Sequence, residues 1–239
     1  MNAMIFAAGL GTRLYPLTKN KPKALVEIRG KPFLAHAIEN VKEAGATRIV
    51  INVHHFSEQI IDYTSNQNWD CEILISDESE ELLETGGGLL KARELFEPDQ
   101  PVLIQNADVL ISTGLNDFVG HHLRSNSDAT LMVKKRPTTR YLLFDPDMRL
   151  CGWKNVKNQE TIWARKGYKP DEYGFSGIHI LKHSLLYELG EIRPFSIIQA
   201  YLELAVEKQI NGYCLRETDQ WFDLGTVDKL KEADLNFKY

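Results

Sequence analysis

The segment Gly9-Leu10-Gly11-Thr12-Arg13 follows an apolar run, Met4-Ile5-Phe6-Ala7-Ala8, and leads into Pro16-Leu17-Thr18 and Lys21-Pro22-Lys23-Ala24-Leu25. A strand that breaks at such a turn exposes backbone N–H groups, and glycine lets phosphate oxygens approach them closely. Arg13 and Lys23 add fixed cations beside that turn. The combination suits a triphosphate. The segment lacks the third glycine of a dinucleotide fingerprint and the Gly-Lys-Ser/Thr ending of a P-loop, so neither of those phosphate sites is expected. Both are expected to offset charge on the phosphates of a bound triphosphate, Lys23 with its approach stiffened by Pro22.

Three further segments carry chemistry. Glu84-Thr85-Gly86-Gly87-Gly88 stands between a strand-like stretch and a helical one. Consecutive glycines at a helix start cost conformational entropy, for which a close backbone approach to a ligand is the natural compensation. Asn106-Ala107-Asp108 ends the apolar run 102–105, and a carboxylate at a strand's end is a usual hard ligand for Mg²⁺. Trp221-Phe222-Asp223-Leu224-Gly225-Thr226 read alone is a helix start, with Thr226 as the N-cap. The pairs His54-His55 and His121-His122 are poor chelates, because neighbouring residues do not share a face of a helix or strand. They are read as surface or packing residues.

In this order the motifs resemble the signature of the sugar-phosphate nucleotidyltransferases: Gly-x-Gly-x-Arg after the first strand, then Pro-Leu-Thr, Pro-Lys-Pro-Leu, Asn-Gly-Asp or a close variant, Phe/Tyr-Ser/Thr-Gly-Ile and Trp-x-Asp-x-Gly-Thr. The resemblance runs from residue 3 to about residue 234. The Glu-Thr-Gly-Gly-Gly form is most similar to N-acetylmuramic acid 1-phosphate uridylyltransferases. What the resemblance implies is in-line attack of a sugar 1-phosphate on the α-phosphorus of a nucleoside triphosphate, with Mg²⁺ shared by Asp108 and Asp223. Gly9, Leu10, Gly11, Thr12, Arg13, Lys23, Glu84, Thr85, Gly86 and Gly87 would hold the nucleotide, and Arg13, Lys23 and Asp108 would carry catalysis. Asn106, Glu172, Ser176 and Gly177 would meet the sugar phosphate, with Tyr173 an alternative to Glu172. One member of the cationic group Lys134, Lys135, Arg136, Arg140, Lys154, Arg165 and Lys166 should bind the sugar's phosphate; the sequence does not say which. No general base is required, since a sugar phosphate is already a charged nucleophile.

The favoured pair is UTP with N-acetylmuramic acid 1-phosphate, a cell-wall recycling step. Mannose, heptose or glucose 1-phosphate with GTP, CTP or dTTP is the alternative. A glycosyltransferase on a similar fold would carry Asp-x-Asp where this chain has Asp108-Val109-Leu110. A sensor without turnover would be expected to have lost Arg13, Lys23 or a carboxylate.

The elements that must position these residues alternate. Strands are expected at 3–7, 48–53, 72–75 and 102–105, and helices after Pro32, from an N-cap at Ser57 through Tyr63 and over 89–96. That rhythm gives an α/β class, a doubly wound, mainly parallel (mixed) sheet that the resemblance makes Rossmann-like and GT-A-like. In the second half, strands are expected at 129–133, 141–144, 175–181 and 213–215. Ser196 is expected to cap a helix whose stripe Ile197, Ile198, Tyr201, Leu202, Ala205 and Val206 is core. Thr226 starts the last helix, and the tract 153–169 has no legible pattern.

One domain over 1–239 is expected, with a nucleotide-binding half to about residue 110 and a sugar-phosphate half beyond it. A formal charge of −5 gives no reason to expect nucleic acid or anionic membrane as a partner. No stretch reaches membrane-spanning length and no leader is evident, which with three unpaired-looking cysteines, Cys71, Cys151 and Cys214, implies the cytoplasm. A homo-oligomer is compatible with all of this.

Overall fold

Residues 1–167 and 169–237 are described by a computed structural model. The N-terminal apolar run forms β1 (Asn2–Phe6), and its neighbours in the sheet lie far along the chain. In chain order there follow β2 (Glu27–Ile28), β3 (Lys31–Pro32), α1 (Phe33–Glu43), β4 (Arg48–Val53), α2 (Ser57–Ser65), β5 (Glu72–Asp77), α3 (Glu84–Lys91) and β6 (Val102–Asn106). Next are β7 (Val109–Ile111), α4 (Asn116–Ser125), β8 (Ala129–Lys134), β9 (Arg140–Phe144), β10 (Leu150–Asn155), β11 (Glu160–Trp163) and β12 (Asp171–Leu181). The chain closes with α5 (Ile197–Leu204), β13 (Ile210–Cys214), β14 (Trp221–Asp223) and α6 (Val227–Asn236).

The main sheet runs β11-β10-β9-β12-β6-β1-β4-β5, with β8 paired to β12 and β13 paired to β8. β1 is parallel to both β4 and β6, and β4 is parallel to β5. β12 is antiparallel to β6, β8 and β9, so the parallel character expected for the sheet belongs to the first half and the second is mostly antiparallel. Side chains alternate between the two faces with the period of a strand. Met4, Val50 and Ile104 join the core under α3 and α5, whereas Ala3, Ile5, Ile49, Ile51 and Leu103 join the core under α1 and α4. The expected stripe of α1, Leu34, Ala37, Ile38 and Val41, is fully buried, and Gly45, at φ 94°, lies just past its end.

Several local expectations are corrected. Phe56, in the left-handed region, precedes α2, so Ser57 is its first residue and not its cap. The apolar stripe of α5 stops short: the helix ends at Leu204, and Val206 is exposed. The tract without a pattern holds the end of β10 and all of β11, paired antiparallel, while Tyr168 lies outside the described residues. Thr226 does cap α6, its Oγ1 accepting from the Lys229 N–H at 3.4 Å. Among the described residues no helix is long and apolar enough to cross a membrane.

Two histidines are packing residues with a consequence for stability. Burial pushes the His122 imidazole down to about 4, where its Nδ1 meets Thr130 Oγ1 at 2.8 Å, and pushes His179 down to about 3, where its Nδ1 meets the Tyr201 hydroxyl at 2.6 Å. Both are neutral when folded, and the unfolded chain takes up their protons first as pH falls below about 6.5. The stability they contribute is complete above that pH and is lost progressively toward pH 4. Thermal midpoints measured from pH 7 to 4 are expected to fall, and His179→Gln should shrink the fall; an identical pH slope in the variant would contradict this assignment.

Candidate functional site

β1 lies between β4 and β6: the chain runs outward from β1 through β4 to β5 and then crosses back to β6 on the other side of β1, a reversal of strand order at which open α/β sheets leave a crevice beyond the carboxyl ends of their strands. A cavity of about 380 Å³ occupies that place. It is lined by the ends of all three strands, Phe6, Asn52 and Asn106, together with Gly9, Lys23, Glu84, Thr85, Asp108 and Ser196.

The two glycines of the first loop do different work. Gly11 is left-handed at φ 67°, and a Cβ there would lie 2.9 Å from Lys23 Cβ and from Thr18 Cγ2. The Thr18 hydroxyl donates to the Gly11 carbonyl at 2.9 Å, so the loop folds back onto the segment that carries Lys23. Around Gly9 nothing among the described residues would meet a Cβ within 4 Å, and Gly9 lines the cavity. Leu14, fully buried with Val26, Leu110 and Leu224, anchors the far side of the loop. Leu10, Thr12 and Arg13 stay exposed, and these three and Gly11 lie outside the cavity lining.

The two expected carboxylates are joined by a feature only three residues long on each strand. β7 and β14 pair antiparallel with Asp223 opposite Val109, and the Leu224 N–H donates to the Asp108 carbonyl at 2.8 Å. Residues 115 positions apart in sequence are thereby neighbours. Lys23 Nζ binds Asp108, and Lys229 Nζ binds Asp223 at 2.6 Å. Burial works to raise the Asp223 carboxyl, but Lys229, the Gly225 N–H and Lys23 together hold it below the usual carboxylate range. Arg13 arrives at the same place: a Cβ on Gly225 would lie 2.6 Å from Asp223 Oδ1 and 2.9 Å from Arg13 Nη2. Arg13, Lys23, Asp108 and Asp223 therefore form one cluster at the cavity's edge.

The triple glycine, expected to let a ligand approach the backbone closely, lies outside the cavity lining. All three lie inside α3 and are buried. A Cβ would lie 2.2 Å from the Phe195 ring at Gly86, 2.1 Å from the Arg193 carbonyl at Gly87 and 2.5 Å from Glu78 Oε1 at Gly88. The close approach that removes their side chains is made by the protein itself. Glu84 and Thr85 do line the cavity, Glu84 with φ 56°, a conformation that costs a non-glycine residue on the order of 1 kcal/mol. The Thr85 hydroxyl accepts from the Ile197 N–H at 3.0 Å and so ties α3 to α5.

On the sugar side, Ser176 is fully buried and its carbonyl accepts from Trp221 Nε1 at 2.8 Å. Gly177, at φ 74°, leaves room for the Asn106 amide, which would be 2.8 Å from a Cβ. These two residues stand behind Asn106; among the three, Asn106 alone lines the cavity. Glu172 is exposed and paired to Lys154 at 2.7 Å. A second cavity of about 640 Å³ shares Ser196 with the first and is walled by Leu142, Trp153, Ile162, Phe175, Ile198 and Leu202, with Arg140 also lining it.

Sequence reasoning missed Asn52, Leu82, Ser196 and Glu78. Asn52 interrupts the apolar run of β4, accepts from the Ala7 N–H at 2.8 Å and donates to the fully buried Glu78 at 2.7 Å. A polar residue inside a continuous hydrophobic strand is the signal that could have found it.

Residues 2–238 match the family described as nucleotidyl transferase. The chain belongs to the nucleotidyl transferase family. Among its curated relatives, the N-acetylmuramate alpha-1-phosphate uridylyltransferase of Caulobacter vibrioides is 40% identical over 221 residues, covering 88% of this chain and 86% of that protein. The mannose-1-phosphate guanyltransferase of Schizosaccharomyces pombe is 31% identical, over 94% of this chain but 61% of its own length. The chain thus spans less than two thirds of the guanyltransferases it matches. In fold the chain is similar to HddC from Yersinia pseudotuberculosis, with a TM-score of 0.75 at 22% identity and 99% of each chain covered. It is likewise similar to a UDP-glucose pyrophosphorylase from Acinetobacter, with a TM-score of 0.81 at 18% identity over 98% and 92% of the two chains.

Proposed function

We propose that this nucleotidyl transferase moves a uridylyl group from UTP to N-acetylmuramic acid 1-phosphate, giving a nucleotide sugar and pyrophosphate, as a cytoplasmic step of peptidoglycan recycling. The observation that carries the choice is the 40% identity to the Caulobacter uridylyltransferase with nearly matching lengths. Guanylyl transfer to mannose 1-phosphate is the second reading, favoured by the 31–36% identities to guanyltransferases.

In this reading the nucleotide occupies the cavity between Gly9 and Thr85, within the half up to about residue 110, and the sugar extends past Asn106 and Ser196 toward the larger cavity. The lactyl ether of N-acetylmuramate carries a carboxylate, and Arg140 lines that cavity without a carboxylate partner among the described residues. A sugar-phosphate oxygen forms a bond to the α-phosphorus as the bond to the bridging β-phosphate oxygen breaks, and no proton has to move. Arg13 stabilises charge on the departing pyrophosphate, and Lys23, released from Asp108, screens the α-phosphate. Asp108 and Asp223 are hard oxygen donors already balanced by lysine ammonium groups, a set that suits Mg²⁺, which when bound would neutralise and align triphosphate oxygens.

A matrix of UTP, GTP, CTP and dTTP against N-acetylmuramic acid, mannose, heptose and glucose 1-phosphates tests the proposal. The pair UTP with N-acetylmuramic acid 1-phosphate is expected to lead in kcat/KM by tenfold or more, on the order of one lost hydrogen bond per mismatched substrate. A lead by GTP with mannose 1-phosphate would establish the second reading instead.

A further inference from the structure

The cationic stretch 134–166 contains a guanidinium, that of Arg136, whose surroundings call for an anion that the protein does not supply. Four of its neighbours are engaged: Lys134 Nζ donates to the Asp219 carbonyl, Lys135 faces Asp171 at 3.9 Å, Lys154 pairs with Glu172 and Arg165 pairs with Asp145 at 2.9 Å, while Arg140 lies on the wall of the larger cavity. Arg136 is different. Its Cζ sits 4.3 Å from the centre of the Trp221 ring, and Nη2 donates to the Phe175 carbonyl at 2.9 Å. Its Nε is buried with no acceptor, and no carboxylate oxygen comes within 4.0 Å among the described residues. Room for the group is made by Gly174, where a Cβ would lie 2.8 Å from both Cζ and Nε.

Trp221 and Asp223 are two residues apart on β14 and so share a face, which puts the Arg136 charge on the side of the Asp108 and Asp223 cluster. The pull of Asp223 on that charge is felt, though desolvation outweighs it and leaves Arg136 below the usual guanidinium range. A half-buried guanidinium held flat by an aromatic ring, with donors left over, is built for bidentate capture of an oxyanion.

We propose that Arg136 is the catalytic residue that binds the phosphate of the sugar 1-phosphate and turns its attacking oxygen toward the α-phosphorus. The assignment rests on the nucleotidyl-transfer reading above.

Arg136→Met and Arg136→Lys in the intact chain test it. In Arg136→Met the KM for the best sugar 1-phosphate is expected to rise roughly 10- to 100-fold, the weight of a charge-assisted pair, while the KM for UTP stays within about twofold. Arg136→Lys should recover part of the loss, since a point cation restores charge without the fork. Equal changes in both KM values, or a fall in kcat alone, would overturn the assignment. Isothermal titration with N-acetylmuramic acid 1-phosphate and mannose 1-phosphate separates this proposal from the reaction it rests on. If no pair turns over but a sugar 1-phosphate binds the native chain and not Arg136→Met, the site stands and the reaction falls; equal binding to both, or none to the native chain, sinks the site. Should Arg136→Met fail to fold, the KM split of Arg136→Lys decides alone.

Discussion

Asp108→Asn is expected to lower pyrophosphate release by about a thousandfold or more while leaving the chain folded. The substitution keeps the size of the side chain and its capacity to accept from Lys23, but removes the charge that would hold a divalent cation against the triphosphate. Losing one preorganised electrostatic contact in a reacting site costs about 10² to 10³ in kcat, and Asp108 also sets the resting place of Lys23, so two contacts are disturbed together. The pair is mostly buried, with side chains 15% and 20% exposed, and the asparagine oxygen still accepts from Lys23, so no buried donor is left unpaired and the chain should fold. Steady-state pyrophosphate release and a thermal melt check both halves. Retention of more than a tenth of native activity would mean that Asp108 is not at the reacting centre.

The glycines provide the second large contrast. Gly86→Ala would drive a Cβ to 2.2 Å from a buried Phe195 ring whose carbonyl already binds the Gly86 N–H at 2.8 Å, leaving neither partner free to shift. Overpacking of this kind costs about 1–3 kcal/mol or more, which for a chain of this size lowers the melting midpoint by roughly 2–12 °C. Gly9→Ala meets nothing in the protein, so the midpoint should hold while the KM for the nucleoside triphosphate rises severalfold as the methyl group enters the space a ligand would fill. Thermal melts beside substrate titrations separate the two. Equal melting of Gly86→Ala and native chain would contradict the packing account, and an unchanged KM in Gly9→Ala would remove Gly9 from the binding surface.

The contrast also marks where sequence reading reached its limit. The Gly9 to Arg13 loop and Asp108 were legible because their evidence is local: an apolar run, then a turn, then a charge. The triple glycine has an equally local pattern but a distant cause, since Phe195 and Arg193 pack onto it from more than a hundred residues away. The β7 and β14 ribbon that joins the two carboxylates is three residues per strand, too short for any periodicity to show. β10 and β11 were opaque for another reason: Trp153 and Ile162 line a cavity, so their spacing does not report a core face. Asn52 left a signal, a polar residue inside an apolar strand, but its partners Ala7 and Glu78 lie 45 and 26 residues away, so the sequence does not show what the signal is for. Val206 was placed in the core by its spacing from Leu202, but α5 stops before reaching it.

The most direct test of the account is the fate of label from a nucleoside triphosphate carrying one isotope at the α-phosphorus and another at the γ-phosphorus, incubated with Mg²⁺ and the sugar 1-phosphates. Nucleotidyl transfer puts the α-label into a nucleotide sugar and the γ-label into pyrophosphate, in equal amounts and only when the sugar phosphate is present. Release of the γ-label as inorganic phosphate, or of the α-label as free nucleoside monophosphate independent of any sugar phosphate, would contradict it.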